Sequence, residues 1–281
     1  MENGHRSNTS VERRDVFRAV NNYFLLAFAA SCMVSSICIQ EIFYVAGYYR
    51  GGIGASALFG AILPVVLLMR RFGPGMRRQL QIDAPNISAT TLVVLATLCA
   101  VVVVDQVYLI SQRFTSAPDA YGELIGGLRP TGPWSFVVVF LGLCVLAPIA
   151  EEFIFRGIIQ QVLERNLGGG AALVLAGLLF GAAHLNAQLL MSVCIFGIFL
   201  GFVFFATRNL TYTIIAHGLF NTVALVQLIQ SPTGGPDSPP FYLRDVRVFV
   251  VTAVLLVYLL YKVKQGGPAG GPPWLDTEDT D

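Results

Sequence analysis

Four side chains able to carry protons stand where the sequence is otherwise apolar: Glu151, Glu152, His184 and His217. An ionisable group inside a membrane span costs at least about 2.5–3.5 kcal/mol at the bilayer centre, so it usually serves a task. Carboxylates and imidazoles can activate a water, relay a proton or ligate a metal. Each block also has a purely structural reading. Glu152 and Arg156 are four residues apart and share one helix face, where they can form an ion pair at a membrane edge with Arg156 snorkelling. Glu151 is turned by about 100° and has no partner in its own segment. His184 follows Gly181-Ala182-Ala183, small residues that suit a tight helix–helix contact. His217 and Asn221 project from one face and can act as interhelical hydrogen-bonding glue. His5 lies in the polar N-terminal segment and reads as solvated.

The elements that must hold these residues are membrane helices. Of 281 residues, 55% are hydrophobic and 12% charged, and the mean hydropathy is +0.67. A soluble domain carries about 25% charged residues, so the chain reads as an all-α polytopic membrane protein. A net charge of +1 makes no case for a nucleic-acid partner. Runs near the roughly 20 apolar residues of a spanning helix give about eight spans: Asn22–Tyr48, Ile53–Met69, Ser88–Ile110, one from Trp134 through Glu152, Gly170–Asn186, Gln188–Thr207, Thr211–Ile229 and Val246–Val263. Cys32, Cys38, Cys99, Cys144 and Cys194 all fall in apolar runs without a CxxC or Cys/His cluster, and read as buried small hydrophobes.

Loop charges predict both termini inside. On that topology twelve basic residues are cytoplasmic: Arg6, Arg13, Arg14, Arg18, Arg70, Arg71, Arg77, Arg78, Arg165, Arg208, Lys262 and Lys264. Five are outside: Arg50, Arg113, Arg129, Arg244 and Arg247. The first apolar run is longer than a signal-peptide core, so it reads as a retained helix. The chain then divides into a cytoplasmic segment (1–21), three accessory helices (22–133), a motif region (134–230), an outer loop with the eighth helix (231–265) and a flexible tail (266–281). Ser231–Pro240, with four prolines, reads as an exposed outer connection. No internal repeat stands out, which disfavours repeat-built transporters.

Depth arithmetic tests whether the polar residues can meet. Glu151 lies 17 residues before Gly168 and His184 lies 14 after Gly170, so at about 1.5 Å per residue both sit roughly 20–25 Å from the Gly168–Gly170 turn. They can face each other across an antiparallel pair. His217 is about eight residues, or roughly 12 Å, from the turn near Asn209. Closing that gap of about 10 Å requires strong tilt or a raised inner turn.

The pattern Glu-Glu-x-x-x-Arg (Glu151, Glu152, Arg156), then Phe-x-x-x-His (Phe180, His184), then His-x-x-x-Asn (His217, Asn221) resembles the CPBP family, the CAAX-protease and bacteriocin-processing intramembrane endopeptidases, also called Abi. The resemblance covers residues 134–230. It implies an intramembrane endopeptidase in which Glu151 and His184 activate a water and His217 and Asn221 hold the oxyanion, with Glu152, Arg156 and Phe180 in support. It also implies a membrane-associated protein or peptide as substrate, the lipid bilayer as environment, and the cytoplasmic membrane as location if the source is bacterial. Prenylated CAAX proteins, membrane-anchored tails with C-terminal sorting signals, and exported peptides are the candidate substrate classes.

Three alternatives stand beside this reading. Glu151, His184 and His217 are the ligand types of some catalytic zinc sites. The chain has no His-Glu-x-x-His helix, and the metal-free mechanism is preferred. A proton-coupled transporter would also use intramembrane Glu and His, although the polar set clusters in helices four, five and seven. A non-catalytic immunity or assembly factor is the third.

Overall fold

The computed structural model describes residues 21–73, 76, 80–114, 126–230 and 245–267. The predicted N-terminal segment, the outer loop Ser231–Pro240 and nearly all of the tail lie outside these. The described residues contain no strand and form eight helices. They are α1 (Asn22–Val45), α2 (Tyr49–Phe72), α3 (Ile87–Ser111), α4 (Pro133–Leu167), α5 (Gly169–Ala183), α6 (Leu190–Thr207), α7 (Leu210–Gln230) and α8 (Val246–Gly266). All but α5 are long and apolar enough to cross a membrane. At 15 residues, α5 extends roughly 22 Å, short of a bilayer core of about 30 Å. It ends at His184, and Leu185 turns the chain with φ 49°. The sequence shows only a weak hydropathy break there, which is why the apolar run reads longer than the helix.

Local chemistry sets the helix ends. Asn21, Asn86 and Asp245 cap α1, α3 and α8, each side chain accepting a backbone N–H. Gly73 and Gly168 end α2 and α4 with φ 71° and 78°, where a Cβ would be strained. Arg208 ends α6 in the left-handed region without that freedom. Its cost is offset by an ion pair to Glu164 at 2.6 Å.

Two helices contain a wider, five-residue register just before a proline. In α2 it runs over Ser56–Ile62, ahead of Pro64, and in α4 over Phe140–Leu146, ahead of Pro148. A proline ring clashes with the carbonyl four residues back. The wider turn accommodates it without breaking the helix. The α4 stretch meets α2 just ahead of its own wide turn, where Gly54 and Gly142 lie backbone against backbone. A third such segment, Phe155–Gln160, follows the glutamate pair.

The hairpin of α5 and α6 packs through glycine. A Cβ on Gly181 would lie 2.9 Å from the Cys194 nitrogen, and one on Gly177 would lie 2.6 Å from that of Ile198. This is the small-residue contact the sequence suggests at Gly181. The hairpin loop docks on the end of α3, where Ser111 donates to the Gln188 carbonyl and Gln188 bonds Gln112. The cysteines are free. Cys32, Cys99 and Cys144 are buried as expected, but Cys38 is exposed because peripheral α1 turns that face out of the bundle.

Candidate active site

Helix α4 carries a polar stripe on its buried face. Glu152, Arg156, Gln160 and Glu164 follow at four-residue steps, all buried. Arg156 Nη1 donates to Glu152 Oε1 at 2.8 Å, which forms the predicted pair. Arg156 does not snorkel. It is fully buried, and its Nη2 donates to the Gly197 carbonyl at 2.8 Å while the guanidinium lies 4.6 Å from the Phe180 ring centre. Gln160 donates to the Gly201 carbonyl at 3.0 Å and to Glu164 at 3.1 Å. The receiving carbonyls on α6 are also four residues apart, so α4 and α6 mesh step for step.

Helix α7 brings His217 into this group. Its Nδ1 lies 2.9 Å from Glu152 Oε1, and its Nε2 lies 3.8 Å from Glu151 Oε2. The two glutamates, 100° apart on their helix, therefore bracket one imidazole. Glu151, unpartnered within its own segment, meets its neighbour from α7. A carboxylate accepts, so the Nδ1 of His217 donates to Glu152. Glu152 and Arg156 are fully buried and His217 nearly so, whereas Glu151 is 31% exposed. Its Oε2 is buried and makes no hydrogen bond within the described residues.

The depth mismatch of His217 is resolved by a raised turn. Arg208 binds Glu164, four residues before Gly168. Leu210, which opens α7, lies beside Gly157, 3.9 Å from where a Cβ there would sit. From this contact His217 is seven residues along α7 and Glu151 six along α4, so the two arrive level. The turn is held by the α2–α3 connection: Leu210 donates to the Gln81 carbonyl, and Asn209 and Thr211 both bond Asp83.

Asn221 sits one turn beyond His217 on the same face. Its Nδ2 donates to the Leu143 carbonyl of α4 at 2.8 Å. Between them Gly218 lies against the Cys144 carbonyl, where a Cβ would come to 2.8 Å. His184 ends α5 as an exposed ring. Its Nδ1 lies 2.8 Å from the Phe180 carbonyl, so it donates there and leaves Nε2 with its lone pair free to accept. Phe180 joins the two histidines, with ring centres 5.0 Å from His184 and 5.6 Å from His217.

Several contributors were not singled out from sequence. Phe196 packs edge-on to His217 at 5.4 Å. Gly197 and Gly201 supply carbonyls to Arg156 and Gln160. Their signal was the Gly-x-x-x-Gly spacing, matched to the four-residue step from Arg156 to Gln160. Pro148, a proline inside an apolar span just before the glutamates, was another readable sign.

Among the described residues no three His, Cys, Asp or Glu side chains are grouped to hold an ion. His217 and His184 each engage Nδ1, with Glu152 and with the Phe180 carbonyl, which leaves each Nε2 for the chemistry of the site.

The helices that build this cluster correspond to a known family. Residues 133–223 match the family model described as type II CAAX prenyl endopeptidase Rce1-like. The CPBP resemblance read from the motifs thus stands on roughly a third of the chain, and it covers Glu151, Glu152, Arg156, Phe180, His184, His217 and Asn221. Over that segment the chain is similar to type II CAAX prenyl endopeptidases, and seven of its helices are long and apolar enough to cross a membrane. No curated protein and no solved structure matches the chain.

Proposed function

We propose that the protein is an intramembrane endopeptidase of glutamic type, cleaving a peptide bond in a membrane-anchored protein tail. The observation that carries this reading is the imidazole of His217 held between Glu152 and Glu151, with the Glu151 side chain 31% exposed and so within reach of a water. Glu151 takes a proton from that water, assisted by the free Nε2 of His184, and the resulting hydroxide attacks the scissile carbonyl. The new oxyanion accepts hydrogen bonds from His217 Nε2–H and from the Asn221 N–H not used by Leu143. As the tetrahedral intermediate collapses, the C–N bond breaks and the proton held by Glu151 passes to the leaving amine.

The charges support this division of labour. Glu151, Glu152 and Arg156 sum to one negative charge in a largely dry site, and a protonated His217 neutralises it. Protonation also gives His217 the Nε2–H that an oxyanion donor needs. The metal-free version is favoured because among the described residues no three His, Cys, Asp or Glu side chains are grouped to hold an ion. The family description points to a prenylated C-terminal peptide as the first substrate to try. The positive-inside count supports a cytoplasmic side for the Gly168 and Arg208 turns and for both termini.

The test compares membrane proteomes of cells carrying the wild-type protein or Glu151→Ala, mapping new protein termini. Termini that depend on Glu151 are expected, and none depending on it sinks the protease reading.

A further inference from the structure

We propose that Pro148 is a positioning residue for Asn221, acting through the hydrogen bond it cannot make. This rests on the reading of Asn221 as an oxyanion donor. Ahead of the glutamates, α4 runs in the five-residue register, and the Ala147 N–H donates to the Gly142 carbonyl. The next bond in that register would run from residue 148 to the Leu143 carbonyl. Residue 148 is proline and has no N–H. A buried carbonyl left without a partner is costly, and Asn221 Nδ2 fills the vacancy at 2.8 Å.

Three consequences follow for the site. The carbonyl demands a donor, so the Asn221 amide is fixed with its NH2 end toward α4. One N–H is consumed, and the other is held beside it, preorganised for a developing negative charge. The carbonyl four residues before Pro148, that of Cys144, is the one against which Gly218 packs. The proline thus frees the strip of α4 backbone on which the His217–Asn221 face of α7 rests. The Leu63–Pro64 step in α2 repeats the register, with the Leu63 N–H on the Leu58 carbonyl, which shows the wide turn to be this chain's way of admitting a proline. In α4 the freed carbonyl is put to use.

The experiment restores the missing N–H without altering any polar side chain. Pro148→Ala lets residue 148 compete for the Leu143 carbonyl. Replacing Pro148 with lactic acid by nonsense suppression gives the same methyl group on an ester linkage that again lacks N–H. With the full chain in proteoliposomes and a synthetic peptide spanning a Glu151-dependent cleavage site, Pro148→Ala is expected to lower kcat about tenfold or more with KM within about twofold. The ester variant stays within about threefold of wild type. In an Asn221→Ala background Pro148→Ala adds nothing further. Equal activity of alanine and ester variants, whether both intact or both impaired, overturns the proposal, because the N–H is the only difference between them that reaches the Leu143 carbonyl. If Asn221→Ala cleaves normally, the oxyanion reading fails instead. A structure of Pro148→Ala then decides the positional claim: an Asn221 Nδ2 to Leu143 oxygen separation beyond the hydrogen-bonding range supports it, and an unchanged bond refutes it.

Discussion

Replacing Glu152 with glutamine keeps the shape of the site and removes one charge. Glu152 Oε1 accepts from Arg156 at 2.8 Å and from His217 at 2.9 Å, and all three side chains are buried. A hydrogen bond to a charged group is worth about 1.5–3 kcal/mol, roughly twice a neutral one. Arg156 stays charged, so only the His217 bond falls to a neutral one, and about 1–2 kcal/mol of stability is lost. This lies below the roughly 3–5 kcal/mol for breaking a buried pair outright, because the glutamine oxygen still accepts. The effect on catalysis is larger. Without the carboxylate the His217 imidazolium loses its counter-charge, and the neutral ring that donates through Nδ1 presents a lone pair at Nε2. The oxyanion donor is then gone, a loss of about 2.7–4 kcal/mol, or roughly 10²–10³ in kcat. The expected result for Glu152→Gln is a fall in kcat of that order with KM little changed, and a lower melting temperature in detergent. Steady-state kinetics in proteoliposomes and a thermal melt measure both. A kcat within about threefold of wild type would show that Glu152 does not set the state of His217, and the charge argument would fall.

Gly218→Ala should lower kcat at least about tenfold although every polar side chain is retained, because its Cβ would meet the Cys144 carbonyl at 2.8 Å. Overpacking of this kind costs about 1–3 kcal/mol, here by levering α7 off α4; wild-type kinetics would contradict the close fit. Cleavage should survive a strong chelator, with metal analysis of the purified protein finding no stoichiometric zinc. Zinc at one equivalent whose removal abolishes cleavage would restore the metalloprotease alternative.

The residues of the candidate site were legible because charge in an apolar run is conspicuous. Glu151, Glu152, Arg156, His184, His217 and Asn221 could each be picked out, and the pairing of Glu152 with Arg156 follows from helical spacing alone. Most spans were legible for the same reason. Three things were hidden. The length of α5 was masked by apolar residues that continue past its last turn. The level of His217 depends on where the Arg208–Asn209 turn sits, which is fixed by Glu164 and by the distant segment Gln81–Asp83. The surroundings of Asn221 depend on a helical register that local sequence reveals only through Pro148. Each is decided by a contact between segments far apart in the chain, which periodicity does not record.

The polar stripe of α4 also bears on how the protein is made. The uncharged stretch of α4 ahead of Glu151 can enter a bilayer alone, but the half bearing Glu151, Glu152, Arg156, Gln160 and Glu164 enters it poorly, since each charge near the centre costs about 2.5–3.5 kcal/mol on the insertion scale. Its partners are synthesised later: Gly197 follows Arg156 by 41 residues and His217 follows Glu152 by 65. The polar half of α4 from Glu151 onward is therefore expected to settle only once α6 and α7 emerge, so that the site is completed from its C-terminal side. Glycosylation mapping of nascent chains truncated after α5 would find α4 incompletely inserted, and full insertion at that length would exclude such an order.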